Sequence, residues 1–296
     1  MILEMVFQLQ KEGFSMKIIY KVSKNFKNAD AFLFGLKGFS TLEEEVTLDE
    51  LDAFSGKEVF LAIDKNMFNS DLVYLEEVLS KIDNYKVSGI LFYDLSVLSI
   101  SKRIGIKTSL IWNQNYLVTN YKTCNFYEKE GVKGAVIPSI ITISEIGDIC
   151  KNTNFDIFVP LFGYQMMALS KRNLVSNYFE YINEENDKDI NYMIENDDKY
   201  LIKETNIGSK IYTKDILNGI RYINTLKKLG VKYIVLDSFM IDDDLFKKVA
   251  NYFERAVNED LSDEELIKIE EEIKSILFNS STLFFDKKTV FKVKRK

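Results

Sequence analysis

The chain has no histidine, only two cysteines and only two prolines in 296 residues. The missing histidine removes the commonest general base and the commonest transition-metal ligand. A Ser-His-Asp triad, a Cys-His pair and a His-Glu-x-x-His zinc site therefore cannot be built within this chain. Two thiols cannot supply the four thiolates that an iron–sulfur cluster usually takes. No cluster is expected from this chain, and no metal site is assigned. Cys124 and Cys150 are too few for a disulfide framework, which makes a reducing cytoplasm the default setting. Long apolar runs are missing as well. The longest, Gly89–Tyr93 and Ala135–Pro138, are strand-sized and far short of the roughly 20 residues that span a bilayer. No membrane association is expected. Met1–Phe7 lacks the basic start and the small-residue cleavage site of a signal peptide. Ser–Lys, paired-aspartate and oxygen-ligated metal chemistry stay open.

Positive charge is also in deficit, with a formal net charge of −6. Broad nucleic-acid binding needs a basic face, so any RNA contact must be local. What the chain does have is apolar residues, 46% of the total. That suffices for one large core.

Short β-rich runs alternate with amphipathic helical patterns, which predicts βα units around a parallel sheet. The strands are expected at Lys17–Val22, Ala31–Phe34, Glu58–Ile63, Ser88–Tyr93, Thr108–Trp112, Lys133–Ile137, Phe155–Leu161 and Lys232–Leu236. Asp71–Ile82 places Leu72, Leu75, Val78 and Leu79 on one helical face. Ser144–Lys151 and Thr213–Leu229 read as helices too, and Gly230 stands where a C-terminal cap belongs. The count suits an α/β fold of the (β/α)8, TIM-barrel-like class, with a doubly wound open sheet as the alternative. No G-x-G-x-x-G follows the first strand, which weakens a dinucleotide-binding reading.

The interval Leu169–Tyr212 is too long for a simple connection. Tyr192–Glu195 and Tyr200–Glu204 read as strands around an Asp197–Asp198 turn, so a small β-insertion is expected after the seventh strand. The domain reading is 16–259 for the barrel, with 170–212 as its insertion. Residues 260–296 form a charged helix (Asp260–Phe278) and a basic tail. Residues 1–15 are read as a non-native extension, because Met16 begins the first strand cleanly and Lys11-Glu12-Gly13 could be a ribosome-binding site read in frame.

In parallel barrels the C-terminal ends of the strands form the active-site face. Those ends offer Lys37, Asp64, Asn66, Asp94, Asn113, Gln114, Asn115, Gln165 and Asp237. Asp64, Asp94 and Asp237 are the catalytic candidates, since converging carboxylates can share a proton or anchor a polar ligand. The amides and Lys37 are substrate-binding candidates, and Arg172 joins them as a group for phosphate or carboxylate. The alternative is plain: polar residues follow strands because loops are solvated, and aspartate caps helices. Trp112–Cys124 is rich in amides and aromatics, which suits a nucleobase or a small aromatic metabolite. It reads equally as a hydrogen-bonded loop. In the tail, Lys287, Lys288, Lys292 and Lys294 are interleaved with Phe284, Phe285 and Phe291. They read either as a local RNA-contacting patch or as a lysine-guarded edge strand.

Three segments resemble a known family. Phe162-Gly163 through Leu174-Val175-Ser176 is similar to the peptidase U32 signature. Tyr200–Thr213, which contains Glu204 and Gly208-Ser209, is similar to the family's later motif. Ala29–Ser40 is similar to its early strand and glycine loop. The likeness runs from about Met16 to about Phe246 in the family's order. Trp112–Cys124 and the Lys-Lys-Thr-Val-Phe-Lys-Val-Lys tail resemble a short branch of Gram-positive bacteria and mollicutes. The resemblance implies a barrel-like fold and adds Glu204 as a binding candidate. It also implies a choice of functions: collagenase-like peptidases, or hydroxylases of tRNA wobble uridine, ribosomal RNA or quinone precursors that use cysteine-ligated clusters. Met166 and Asn173 stand where the signature has cysteines, and Ser139-Ile140 where the family often has Arg-Glu. The resemblance thus implies a cluster-less partner subunit in wobble-uridine 5-hydroxylation, working beside a cysteine-bearing U32 paralogue. The alternatives are a peptidase and a non-catalytic scaffold.

Overall fold

Eight short runs of β-branched and aromatic residues carry the architecture. In the computed structural model, which describes residues 15–24, 26, 29–114 and 117–287, each run becomes a strand. They are β1 (Lys17–Lys21), β2 (Ala31–Leu36), β3 (Glu58–Ile63), β4 (Gly89–Phe92), β5 (Leu110–Trp112), β6 (Gly134–Val136), β7 (Asp156–Gly163) and β8 (Tyr233–Asp237). All neighbours pair in parallel, and β8 pairs with both β7 and β1, which closes the ring. The expected (β/α)8 barrel is therefore present.

A parallel sheet must be covered on both faces, which is why these strands read as apolar runs rather than as an alternation. Inside the ring, Ala31, Leu33, Phe60, Ala62, Leu91, Ile111, Phe158, Tyr233 and Val235 form one buried cluster. Phe158 stacks on Tyr233 at 4.5 Å, and Phe60 meets Phe158 edge-on at 5.5 Å. These three lie in the first halves of their strands, so aromatic rings plug the N-terminal end.

The outer faces of the strands pack on helices. These are α1 (Leu72–Leu79), α2 (Leu95–Ile104), α3 (Tyr121–Lys129), α4 (Ile143–Asn152), α6 (Ile223–Lys228), α7 (Asp243–Asn258) and α8 (Asp263–Ile276), while α5 (Leu174–Ile182) packs on the antiparallel insertion that follows β7. Sequence chemistry sets their starts. Thr142 with Glu145, and Ser262 with Glu265, form capping boxes for α4 and α8, each satisfying amides that a helix start leaves unpaired. No helix among the described residues is long and apolar enough to cross a membrane.

One expected helix is corrected. Thr213–Leu229 is not continuous: Ile216–Asn218 is a strand, Ile220–Tyr222 a 3-10 turn, and only Ile223–Lys228 is α-helical. Ile216–Asn218 pairs antiparallel with the end of β7 and parallel with Ser280–Ser281. Its residues are buried all round, so apolar spacing alone could not separate strand from helix there.

The insertion after β7 is a four-stranded antiparallel sheet built from Met166–Ser170, Asn191–Glu195, Asp198–Thr205 and Gly208–Tyr212. Its hairpin turns on Asn196 and Asp197, both at positive φ, the two-residue turn that matches strand twist. The turn thus lies one residue before the expected Asp197–Asp198. The expected extension at 1–15 lies, up to residue 14, outside the described residues, as does the tail from Lys288 onward.

Candidate ligand pocket at the barrel mouth

The strand ends open into a cavity of about 620 Å³, within the roughly 300–1,000 Å³ of small-ligand sites. Its apolar floor is Leu33, Leu91, Val136, Pro160 and Val235. Lys21, Asp64, Asn113 and Asp237 stand above that floor where four strands end. The side wall comes from the turn after β7 (Tyr164, Gln165), from the insertion (Tyr212) and from the loop after β8 (Phe239).

Each polar group has a defined environment. Asp237 Oδ2 accepts from Lys21 Nζ at 2.6 Å, and its Oδ1 accepts from the Phe239 amide at 2.9 Å. Burial alone would lower the Lys21 pKa, but the Asp237 carboxylate beside it outweighs that and raises it. Lys21 is therefore a fixed ammonium at neutral pH. Asp64 accepts from Ser40 Oγ at 2.7 Å, from the Thr41 amide at 2.6 Å and from Thr41 Oγ1 at 2.9 Å. Tyr212 is stacked on Phe239 at 4.5 Å. Burial, reinforced by Glu43, Asp237 and Asp64, pushes its phenol pKa up, so the hydroxyl stays a neutral donor.

The insertion reaches the mouth through charge. Lys210 Nζ donates to Glu43 Oε1 at 2.6 Å and to the Thr41 carbonyl. Lys203 Nζ meets Glu43 Oε2 at 2.8 Å. Burial would raise the Glu43 pKa, but the two lysines hold it below its ordinary value. Gly163 makes the turn into the insertion with φ +113, and a Cβ there would sit 2.6 Å from the Asp237 carbonyl oxygen. Only glycine meets both demands.

The sequence candidates separate in space. Asp64, Asn113, Gln165, Asp237 and Lys287 line the cavity. Asp94 does not: it caps α2 by accepting from the Ser96 amide at 2.9 Å, and it also takes the Met67 amide at 3.1 Å. Gln114 is held by Trp112 Nε1 and the Tyr93 carbonyl, beside the cavity rather than on its lining. Lys37, Asn66 and Arg172 are exposed and off the lining. Glu204 caps α5 through the Val175 amide at 2.9 Å and the Ser176 amide at 3.2 Å. Asn115, Lys288, Lys292 and Lys294 fall outside the described residues. The reading of strand ends missed Lys21, although it ends β1 by the same rule. It also missed Glu43, Lys210, Tyr212 and Phe239. The signal for Phe239 was its place two residues after Asp237; Lys210 left no local signal.

Cys124 and Cys150 sit on α3 and α4, away from the lining. Burial pushes their thiols up to about 11 and about 12, so neither is a ready thiolate. Among the described residues, no three of His, Cys, Asp and Glu gather as a metal site.

The family model for peptidase family U32 matches residues 23–294. The chain belongs to that family. This U32 chain is 26% identical over 286 residues to tRNA hydroxylation protein P2 of Bacillus subtilis (strain 168), covering 89% of this chain and 93% of that protein. It is 22% identical over 151 residues to tRNA hydroxylation protein P1 of the same organism, covering 51% of this chain and 34% of that protein. An uncharacterized protease of Methanocaldococcus jannaschii is 26% identical over 163 residues, 51% of this chain and 39% of that one. The U32 chain thus matches nearly the whole of one relative and little more than a third of the other two.

Proposed function

We propose that this U32 chain acts in tRNA hydroxylation, as the cluster-less subunit of a pair that 5-hydroxylates wobble uridine. A cysteine-bearing U32 paralogue is the proposed partner. The observation that carries the reading is the near full-length similarity to tRNA hydroxylation protein P2. The pocket supports it. At neutral pH it presents an ammonium–carboxylate pair, a neutral phenol, two amides and an aromatic pair, which are groups that bind a polar planar ring.

The family's iron–sulfur cluster does not fit the donors of this chain. The two cysteines sit on separate helices with raised thiol pKa values, and the chain has no histidine. No step is assigned to a cluster here; the cluster and the oxidation belong to the partner. Lys287, on the pocket lining, leads into Lys288, Lys292 and Lys294, and this short basic run is the proposed contact to tRNA phosphates.

The peptidase reading draws no comparable support. A general-base lysine needs a lowered pKa, and Lys21 is shifted the other way.

The test is mass spectrometry of tRNA nucleosides from cells with and without the gene. Loss of 5-hydroxyuridine derivatives is expected, as is co-purification of a cysteine-rich U32 protein. Unchanged derivatives and no such partner would sink the proposal.

A further inference from the structure

The pocket's charge says which part of a nucleotide it can hold. Five carboxylates and only three ammonium groups lie on its lining. Lys21 and Asp237 neutralise each other, Lys214 is paired with Asp198 at 2.7 Å, and Glu43 is held by Lys203 and Lys210 from outside the lining, which leaves Glu44, Asp64 and Asp215 against Lys287. The surplus is negative and sits around a low-dielectric floor, where charge repulsion is strong. A phosphate is repelled from such a site, whereas an uncharged ring is not.

The interior chemistry suits an uncharged base. Asp237 has one contact on each oxygen, while a carboxylate offers about four lone-pair sites, so it can still accept from a ring N–H. Asn113 and Gln165 present amides on the lining; Gln165 Nε2 already donates to the Gly163 carbonyl at 3.0 Å, which leaves its second N–H and its oxygen for a ring. Phe239, half-buried on the lining and stacked on Tyr212, gives the wall an aromatic surface. Bases bind such walls by stacking, worth about 1–3 kcal/mol per base.

From this juxtaposition we infer that the barrel mouth takes a single uracil nucleoside base-first, with its phosphates left outside. The inference rests on the tRNA-hydroxylation reading for the identity of the base, and on the pocket alone for the exclusion of phosphate. A base inside a helix or loop stack cannot reach a closed-bottomed pocket, so the nucleotide must swing out to enter. The base is then held away from bulk water.

The test is calorimetric titration of the purified full chain with uridine, uridine 5′-monophosphate and ribose 5-phosphate. Uridine is expected to bind saturably, the monophosphate at least threefold more weakly, and ribose 5-phosphate not at all. Phe239→Leu should weaken uridine at least tenfold. Asn113→Ala, a smaller change on the opposite side of the mouth, should weaken it about threefold, with unfolding transitions checked for both variants. No saturable uridine binding, tighter binding of the monophosphate, or equal competition by ribose 5-phosphate would overturn the assignment. The two proposals fail separately. Uridine binding with unchanged cellular 5-hydroxyuridine refutes the hydroxylation reading and leaves the pocket. Loss of cellular 5-hydroxyuridine without uridine binding does the reverse.

Discussion

The barrel and its insertion are held by different forces. Barrel strands are buried on both faces: β2 is buried at every position and β3 at all but its first. In the insertion, the hairpin strand Asn191–Glu195 leaves Tyr192, Met193 and Ile194 exposed. Its attachment to the barrel includes a buried lysine, Lys210, whose side chain is 3% exposed, bound to Glu43 in the loop after β2. Apolar burial is strong and needs only the right volume. A buried charge is tolerated only while its partners stay in place. The barrel should therefore respond to lost volume, and the insertion to a lost partner.

The largest effect is expected in the barrel. Phe158 is 1% exposed and touches both Phe60 and Tyr233. Phe158→Ala removes a ring from a site with aromatic walls and should lower global stability by about 3–5 kcal/mol. Denaturant unfolding measures this, and a loss below about 1 kcal/mol would mean that the barrel interior is not the stabilising layer described.

A smaller and local effect is expected at the joint. Lys210→Met keeps most of the apolar stem but leaves the Thr41 carbonyl and Glu43 Oε1 without this donor. Lys203 still holds the other oxygen of Glu43. The cost should be about 1–3 kcal/mol, the usual penalty for a buried acceptor left unpaired. Hydrogen exchange should quicken in residues 198–212 while β3 and β7 keep their protection. Equal loosening of both regions would erase the contrast.

The same contrast explains what the sequence could reveal. Barrel strands were readable because burial on both faces writes an apolar run into each one. The hairpin was readable because turn-forming residues separate two β-rich stretches, although the turn was expected at Asp197–Asp198 and falls on Asn196 and Asp197. Ile216–Asn218 was misread as helix because a fully buried segment carries no period of its own. Among the site candidates, Asp94 and Asp237 look alike in sequence, each an aspartate at the end of a strand. Both accept from an amide two residues on, but Asp237 also accepts from a lysine 216 residues away. Only the closed ring brings Lys21 to Asp237, and only the docked insertion brings Lys210 to Glu43, 167 residues distant. Local sequence can report caps and turns, but not partners that the fold itself must assemble.

The smallest expected effect tests the insertion's other polar device. Glu204 accepts from Ser176 Oγ, from the amides of Ser176 and Val175 at the start of α5, and from Ser209 Oγ. Burial would raise its pKa, but these hydrogen bonds outweigh that and hold it below its ordinary 4.5. A carboxylate depressed on folding stabilises the fold above its unfolded pKa, and that stability is lost as pH falls through the folded value. The contribution is therefore present at pH 7 and disappears on acidification below about 4.5. Glu204→Gln keeps one acceptor but removes the charge. At pH 7 it should weaken the α5 cap by about 0.5–1 kcal/mol, the low end for a cap, because the site is solvent-screened. The protection of the Val175 and Ser176 amides, compared between wild type and variant at each pH, measures it. The difference should shrink progressively as the pH is taken further below 4.5, because the wild-type carboxyl is then itself protonated. A difference that persists undiminished in acid would show that Glu204 acts by shape rather than by charge.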